Sequence, residues 1–89
     1  MPEIEVYNYT ESKWMRLDAK DVLKALEGNS SSELIYDWSS GKYRHFDCKD
    51  LKKAMEGSSS SDMVMEYGVG YIHIDSKDLR EAVKKAIGK

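Results

Sequence analysis

Three short segments place two aspartates three residues apart: DAKD at 18–21, DCKD at 47–50 and DSKD at 75–78. A hard cation such as Ca²⁺ takes about six to eight oxygen ligands, so repeated carboxylate pairs are one way to hold it. Asp18, Asp21, Asp47, Asp50, Asp75 and Asp78 are therefore the candidate metal ligands. His45 and His73 stand just upstream of two of these pairs, with Arg16 at the matching place before the first. A histidine pair suits proton transfer or zinc binding. Cys48 directly follows Asp47, and it is the single cysteine, which excludes a disulfide within the chain and any CxxC metal site. No Walker loop, GxSxG or HExxH is present. The expectation is a non-enzymatic protein with no catalytic residue and no cofactor.

A simpler chemistry competes with the cation reading. Asp18, Asp47 and Asp75 each follow a strand-like residue (Leu17, Phe46, Ile74) and stand where a helix N-cap belongs. Asp21, Asp50 and Asp78 then fall at the third helical position, in the manner of a capping box. Apolar residues follow on one helical face: Val22, Ala25 and Leu26; Leu51, Ala54 and Met55; Leu79, Ala82 and Val83. Gly28 and Gly57 are expected to stop the first two helices, while the third runs about one turn further, toward Gly88. Capping accounts for all six aspartates without an ion, and it leaves no free amides there for a phosphate.

Each helix follows a hairpin pattern. The segment IYDWSSGKYRHF reads as two strands about Ser40-Gly41, pairing Trp38 with Tyr43 and Tyr36 with His45. The same register about Glu11-Ser12 pairs Tyr9 with Trp14 and Tyr7 with Arg16. About Gly68-Val69-Gly70 it pairs Tyr67 with Tyr71 and Met65 with His73. The chain is thus a single domain of 89 residues built from three units of about 29 residues, roughly 3–32, 33–61 and 62–89. The predicted fold class is α+β: three tandem ββα repeats forming a six-stranded mixed sheet, with three helices on one face. Each helix is expected to recross the sheet right-handedly, making the next strand parallel to the one before it. The serine-rich links 29–32 and 58–61 read as solvated connectors.

Period-two alternation sorts the strand residues. Ile4, Val6, Met15, Leu17, Ile35, Phe46, Val64, Ile72 and Ile74 share the side expected to meet the helices. Asn8, Asp37, Arg44 and Glu66 have the same parity and are expected near the hairpin tips, beyond the helix cover. The opposite side carries Tyr7, Tyr9, Trp14, Tyr36, Trp38, Tyr43, Tyr67 and Tyr71, eight of the nine aromatics, together with Arg16, His45 and His73. These eleven residues are the expected binding face. Such a face is either buried by curling of the sheet, paired with a second molecule, or left open as a platform. The expected occupant is a protein partner or another copy of the chain. A single-stranded nucleic acid stacked on the aromatics is the alternative, disfavoured because Arg16 is the only fixed cation on the face.

The net charge of −2 gives no global steering toward nucleic acid or an anionic membrane. Lys49, Lys52, Lys53, Lys77, Arg80, Lys84 and Lys85 cluster on the second and third helices, but Glu56 and Glu81 interrupt them, as on a solvated face. No apolar run is long enough to span a bilayer, no signal peptide is recognisable, and the lone cysteine suits a reducing compartment, so a cytoplasmic location is expected. The stretch GKYRHFDCKDLKKAM resembles the hairpin-to-helix part of small KTSC domains. The Lys-Thr-Ser-Cys motif of that family is absent, and the resemblance, confined to residues 41–55, implies no function.

Overall fold

A computed structural model describes residues 3–88; Met1, Pro2 and Lys89, the last residue of the third unit, lie outside them. The element order is β1 (Glu3–Asn8), β2 (Lys13–Asp18), α1 (Ala19–Glu27), β3 (Ser32–Asp37), β4 (Lys42–Asp47), α2 (Cys48–Glu56), β5 (Ser61–Glu66), β6 (Gly70–Asp75) and α3 (Ser76–Ile87). The helices start at the capping aspartates: Asp18, Asp47 and Asp75 each accept a hydrogen bond from the backbone N–H of the aspartate three residues on. Gly28 and Gly57 end α1 and α2 with extended rather than left-handed backbone. A Cβ at these positions would be a tight fit, 3.1 Å from the Lys24 carbonyl oxygen and 3.3 Å from that of Lys53.

The sheet is neither mixed nor open. All six strands close into an antiparallel barrel in the order β1-β2-β3-β4-β5-β6. β2 pairs with β3, β4 with β5 and β6 with β1, antiparallel each time. The expected right-handed crossovers are therefore absent. After each helix the next strand runs back toward the strand before the helix and meets it only at its own C-terminal end, as Asp37 meets Leu17 and Glu66 meets Phe46. The three helices contact one another and the strands, and their apolar faces merge with the inward strand residues into a single core.

Hairpin register differs from expectation by two residues. Tyr7 faces Trp14, Tyr36 faces Tyr43 and Met65 faces Tyr71, while Glu5, Leu34 and Met63 face Arg16, His45 and His73. The first two loops hold four residues rather than two, and the third holds three, at 67–69 rather than 68–70. Ser12 and Gly41 take positive φ at the last loop position (56° and 74°), the left-handed step that lets a four-residue loop rejoin its strand. In the second loop the Gly41 and Ser40 amides both donate to the Asp37 carbonyl. A two-residue slip preserves side-chain parity, so the assignment of residues to the two faces is unaffected.

Neighbouring hairpins share one bridged pair each: Leu17 with Asp37, Phe46 with Glu66, and Asn8 with Ile74. Equivalent backbone bonds extend these seams: Trp38 N–H to Arg16 O, Tyr67 N–H to His45 O and Tyr9 N–H to His73 O, all 2.8 Å. The second aspartate of each pair also serves a seam rather than a capping box. Asp21 accepts from the Tyr36 amide (3.0 Å), Asp50 from the Met65 amide (2.9 Å) and Asp78 from the Tyr7 amide (3.2 Å). Each carboxylate thereby ties its helix to the next hairpin around the barrel.

Candidate functional site

Closure decides what the aromatic face becomes. The barrel curls with its aliphatic side inward, so the aromatics form the outer wall instead of being buried. Tyr9, Trp14, Trp38, Tyr43, Tyr67 and Tyr71 are 40–62 % exposed, while Tyr7 and Tyr36 are half-buried. The wall is convex and divided among three hairpins, so of the three alternatives, burial by curling of the sheet is not the one adopted. The eleven residues fall into three ladders. His73, Tyr9, Tyr7 and Trp14 form one, with ring centroids 5.1–5.4 Å apart. Trp38, Tyr36 and Tyr43 form the second, beside Arg16, at 4.7 and 5.0 Å. His45 and Tyr67 form the third at 4.9 Å, with Tyr71 farther along the same hairpin. The four Tyr and Trp pairs meet edge-on, each worth about 0.5–1.5 kcal/mol beyond burial, while the two His–Tyr pairs are tilted, so the ladders also brace the wall.

Every ladder ends on a capping aspartate. Tyr9 donates its hydroxyl to Asp75 (2.8 Å), Trp38 its indole N–H to Asp18 (3.3 Å) and Tyr67 its hydroxyl to Asp47 (2.6 Å). The hydrogen bond to Asp75 raises the Tyr9 pKa above its ordinary value, and that to Asp47 does the same for Tyr67. The Tyr67 hydroxyl in turn holds the Asp47 carboxyl below the usual range. The six aspartates are thus occupied as acceptors at three separate seams. Among the described residues no three His, Cys, Asp or Glu side chains come together to hold a metal ion.

The two histidines stay apart, each on its own hairpin. His45 Nε2 lies 2.8 Å from Ser32 Oγ and His73 Nε2 lies 2.7 Å from Ser61 Oγ. These serines begin β3 and β5, so the serine-rich links are not only solvated connectors. Among the described residues no side chain hydrogen-bonds either Nδ1, so neither pair has the third group that orients a catalytic base. Cys48 is buried, and burial pushes its thiol pKa up, the opposite of an activated nucleophile. On the helices, Lys52 and Arg80 do more than face solvent. Lys52 donates to the Gly28 carbonyl (2.9 Å), and Arg80 to those of Ala54 (3.0 Å) and Ser59 (2.8 Å). Both place positive charge at the C-terminal end of the preceding helix.

The feature whose burial sequence reasoning missed is at the hairpin-tip end of the barrel, where Asn8, Asp37, Glu66 and Arg44 were expected. All four are buried there. Arg44 bonds Glu66 through Nε (3.0 Å) and Nη2 (2.8 Å), Asp37 through Nη1 (3.0 Å) and Glu11 through Nη2 (2.8 Å). Burial alone would lower the Arg44 pKa, but the three carboxylates outweigh it and raise it. Burial likewise pushes the Asp37 carboxyl up, and hydrogen bonds from Ser39, the Arg16 amide and Arg44 reverse this to hold it below the usual range. Met15 and Ile72 occupy the places matching Arg44 in the other hairpins, and Asn8 matches Asp37. Charged residues at lumen-facing positions of the second hairpin (Asp37, Arg44) and the third (Glu66) were the signal available in the sequence.

A difference between hairpins also marks the outer wall. On β3, β4, β5 and β6 the outward positions read Ser32, Leu34, Tyr36, Tyr43, His45, Ser61, Met63, Met65, Tyr71 and His73, none of them a fixed charge. The only fixed charges of that parity are the capping Asp47 and Asp75. On β1 and β2 the matching positions include Glu3, Glu5 and Arg16, with Arg16 paired to Glu3 at 3.2 Å. No described helix is long and apolar enough to cross a membrane. Comparison with protein-family models, curated proteins and solved structures found no match.

Proposed function

We propose that this chain is a non-enzymatic protein-binding module that acts through the uncharged wall of its second and third hairpins, with a second copy of itself as first partner. The observation that carries the reading is the run of ten uncharged outward positions over four adjacent strands, with Leu34, Tyr43, Met63 and Tyr71 each more than half exposed. Exposed apolar area of this extent is uncommon on a protein that has no partner. Its composition, tyrosine and methionine with no lysine or glutamate, is that of an interface centre. The convex shape limits the area two copies bury, so self-association is weak and concentration-dependent. A nucleic acid partner has less support, because this wall carries no arginine or lysine to meet phosphates.

Sedimentation velocity over a concentration series tests the reading. The wild type is expected to self-associate reversibly with a dissociation constant of about 10 μM to 1 mM. Tyr43→Glu with Tyr71→Glu is expected to abolish this while circular dichroism stays unchanged. A wild type that remains monomeric at about 1 mM, or a double variant that associates equally well, refutes self-association through this wall.

A further inference from the structure

The first hairpin departs from the other two in a way the self-association surface does not use. A groove of about 760 Å³ runs between its outer face and α3. Trp14, Ala82 and Ala86 supply apolar lining, and Glu3, Glu5, Asp78 and Glu81 the acidic lining, with Lys85 as the single cation. The volume lies within the range of small-ligand and peptide sites. Glu3 is paired with Arg16, whereas Glu5, Asp78 and Glu81 make no ion pair among the described residues. Trp14 is 51 % exposed, and its indole N–H has no hydrogen-bond partner among the described residues, whereas Trp38 is bonded to Asp18.

The other hairpins serve as an internal comparison. Where the first has Glu3 and Glu5, the second has Ser32 and Leu34 and the third Ser61 and Met63. α3 has twelve residues where α1 and α2 have nine, and the added length supplies Lys85 and Ala86 to the groove. The acidic residues, the open indole and the longer helix coincide at one of three otherwise similar places. Carboxylates around an open tryptophan are the chemistry that receives a cation, through charge and through the ring face together.

We infer that this groove docks a basic segment of a partner protein, one arginine or lysine lying over the Trp14 indole within reach of Glu5 and Glu81, with small apolar neighbours on Ala82 and Ala86. Charge complementarity selects this occupant. An acidic segment would meet three carboxylates that make no ion pair among the described residues, and a neutral one would leave Glu5 and Glu81 without a counter-charge, Asp78 already accepting the Tyr7 amide. The surface is separate from the uncharged wall, so either reading can fail without the other.

The test is an NMR titration of the ¹⁵N-labelled full chain, following both indole N–H signals. The probes are acetyl-Leu-Arg-Ala-Arg-Leu-amide and, separately, spermidine. The peptide is expected to shift Trp14 and leave Trp38 in place, saturating with a dissociation constant of about 0.1–1 mM at low salt and weakening as salt rises. Glu5→Gln with Glu81→Gln is expected to weaken binding by about tenfold or more with both indole signals otherwise unmoved, whereas Tyr43→Glu with Tyr71→Glu leaves it unchanged. Three results overturn the inference: no Trp14 shift at several millimolar peptide, equal binding by the Glu5/Glu81 double variant, or spermidine binding as tightly as the peptide, which would make the groove a general cation trap.

Discussion

Replacing Arg44 by methionine tests the central electrostatic feature of the barrel. Among the described residues Arg44 is the one cation bonded to Asp37 and Glu66, whose side chains are 0 % and 7 % exposed. Removing one partner of a buried ion pair costs about 3–5 kcal/mol, because the surviving charge is left in a poor solvent. A domain of this length has total stability of roughly 4–13 kcal/mol, so the variant loses a large share of it. At roughly 4–8 °C per kcal/mol, the melting temperature falls by about 12–40 °C. The loss depends on pH with a definite sign. Without Arg44, Asp37 loses one of the hydrogen bonds that hold its carboxyl down against burial, so its folded pKa rises. In the wild type the depressed Asp37 pKa provides stability that is present above the unfolded value and lost as pH falls through the folded one. The variant has less of this stability to lose, so its deficit shrinks as pH falls from 7 toward 4.

The first hairpin supplies the rescue. There Asn8 Nδ2 points at Met15 Sδ, 3.6 Å away, in place of the Asp37–Arg44 contact. In Asp37 the oxygen Oδ1 already accepts the Arg16 amide and both Ser39 donors, and only Oδ2 faces Arg44. An asparagine keeps the first set and turns its amide toward a methionine. The triple variant Asp37→Asn, Arg44→Met, Glu66→Gln is therefore expected within about 1–2 kcal/mol of wild type, as for other buried ion pairs exchanged as a set. Urea unfolding followed by circular dichroism at pH 7 and pH 5 measures all of this. A single variant within about 1 kcal/mol of wild type at pH 7, or a triple variant no more stable than the single, refutes the reasoning.

Other perturbations probe the seams and turns. Tyr67→Phe removes the hydroxyl that holds down the Asp47 pKa, so that pKa rises toward its ordinary value in an NMR titration; an unmoved Asp47 contradicts the latch. Since stability from a depressed carboxylate is present above its unfolded pKa and lost as pH falls through the folded one, the same variant flattens the acid limb of the stability curve. Asp50→Ala orphans the Met65 amide and costs about 1–3 kcal/mol in denaturant melts, while Asp50→Asn keeps an acceptor and costs less; equal losses would mean the carboxylate acts only through charge. Gly41→Ala forces a side chain into positive φ and lowers stability by about 1–2 kcal/mol, an effect absent if the loop simply changes type.

Local information accounts for much of this molecule. The capping aspartates, the apolar helical faces and the two-residue alternation of the strands are readable along the chain, because each depends on neighbours within one turn or pleat. The inward residues from Ile4 to Ile74 therefore match the observed core. Register was less legible: Ser40-Gly41 suggests a two-residue turn, but the left-handed Gly41 instead closes a four-residue loop, held from within by hydrogen bonds to Asp37. Parity is insensitive to that slip, so the eight wall aromatics were identified even though their partners were not. The roles of Asp21, Asp50 and Asp78 depend on amides of the following hairpin, and the hydroxyls on Asp47 and Asp75 come from other units. No local pattern encodes those contacts.

By itself the sequence determined the elements, their order and the two faces of each strand, since propensity, capping and pleat are properties of adjacent residues. Only the tertiary structure decided that the strands pair antiparallel throughout and meet as a ring. The order ββαββαββα suits either a mixed sheet or a closed barrel, and the antiparallel seams between hairpins, including the one from β6 to β1, make it the barrel. That choice turned the aromatic face into a convex outer wall, drew Arg44 and its carboxylates into the interior, and set a longer helix beside Trp14. Curvature of a sheet is a property of all six strands together, which is why no segment of the chain carries it alone.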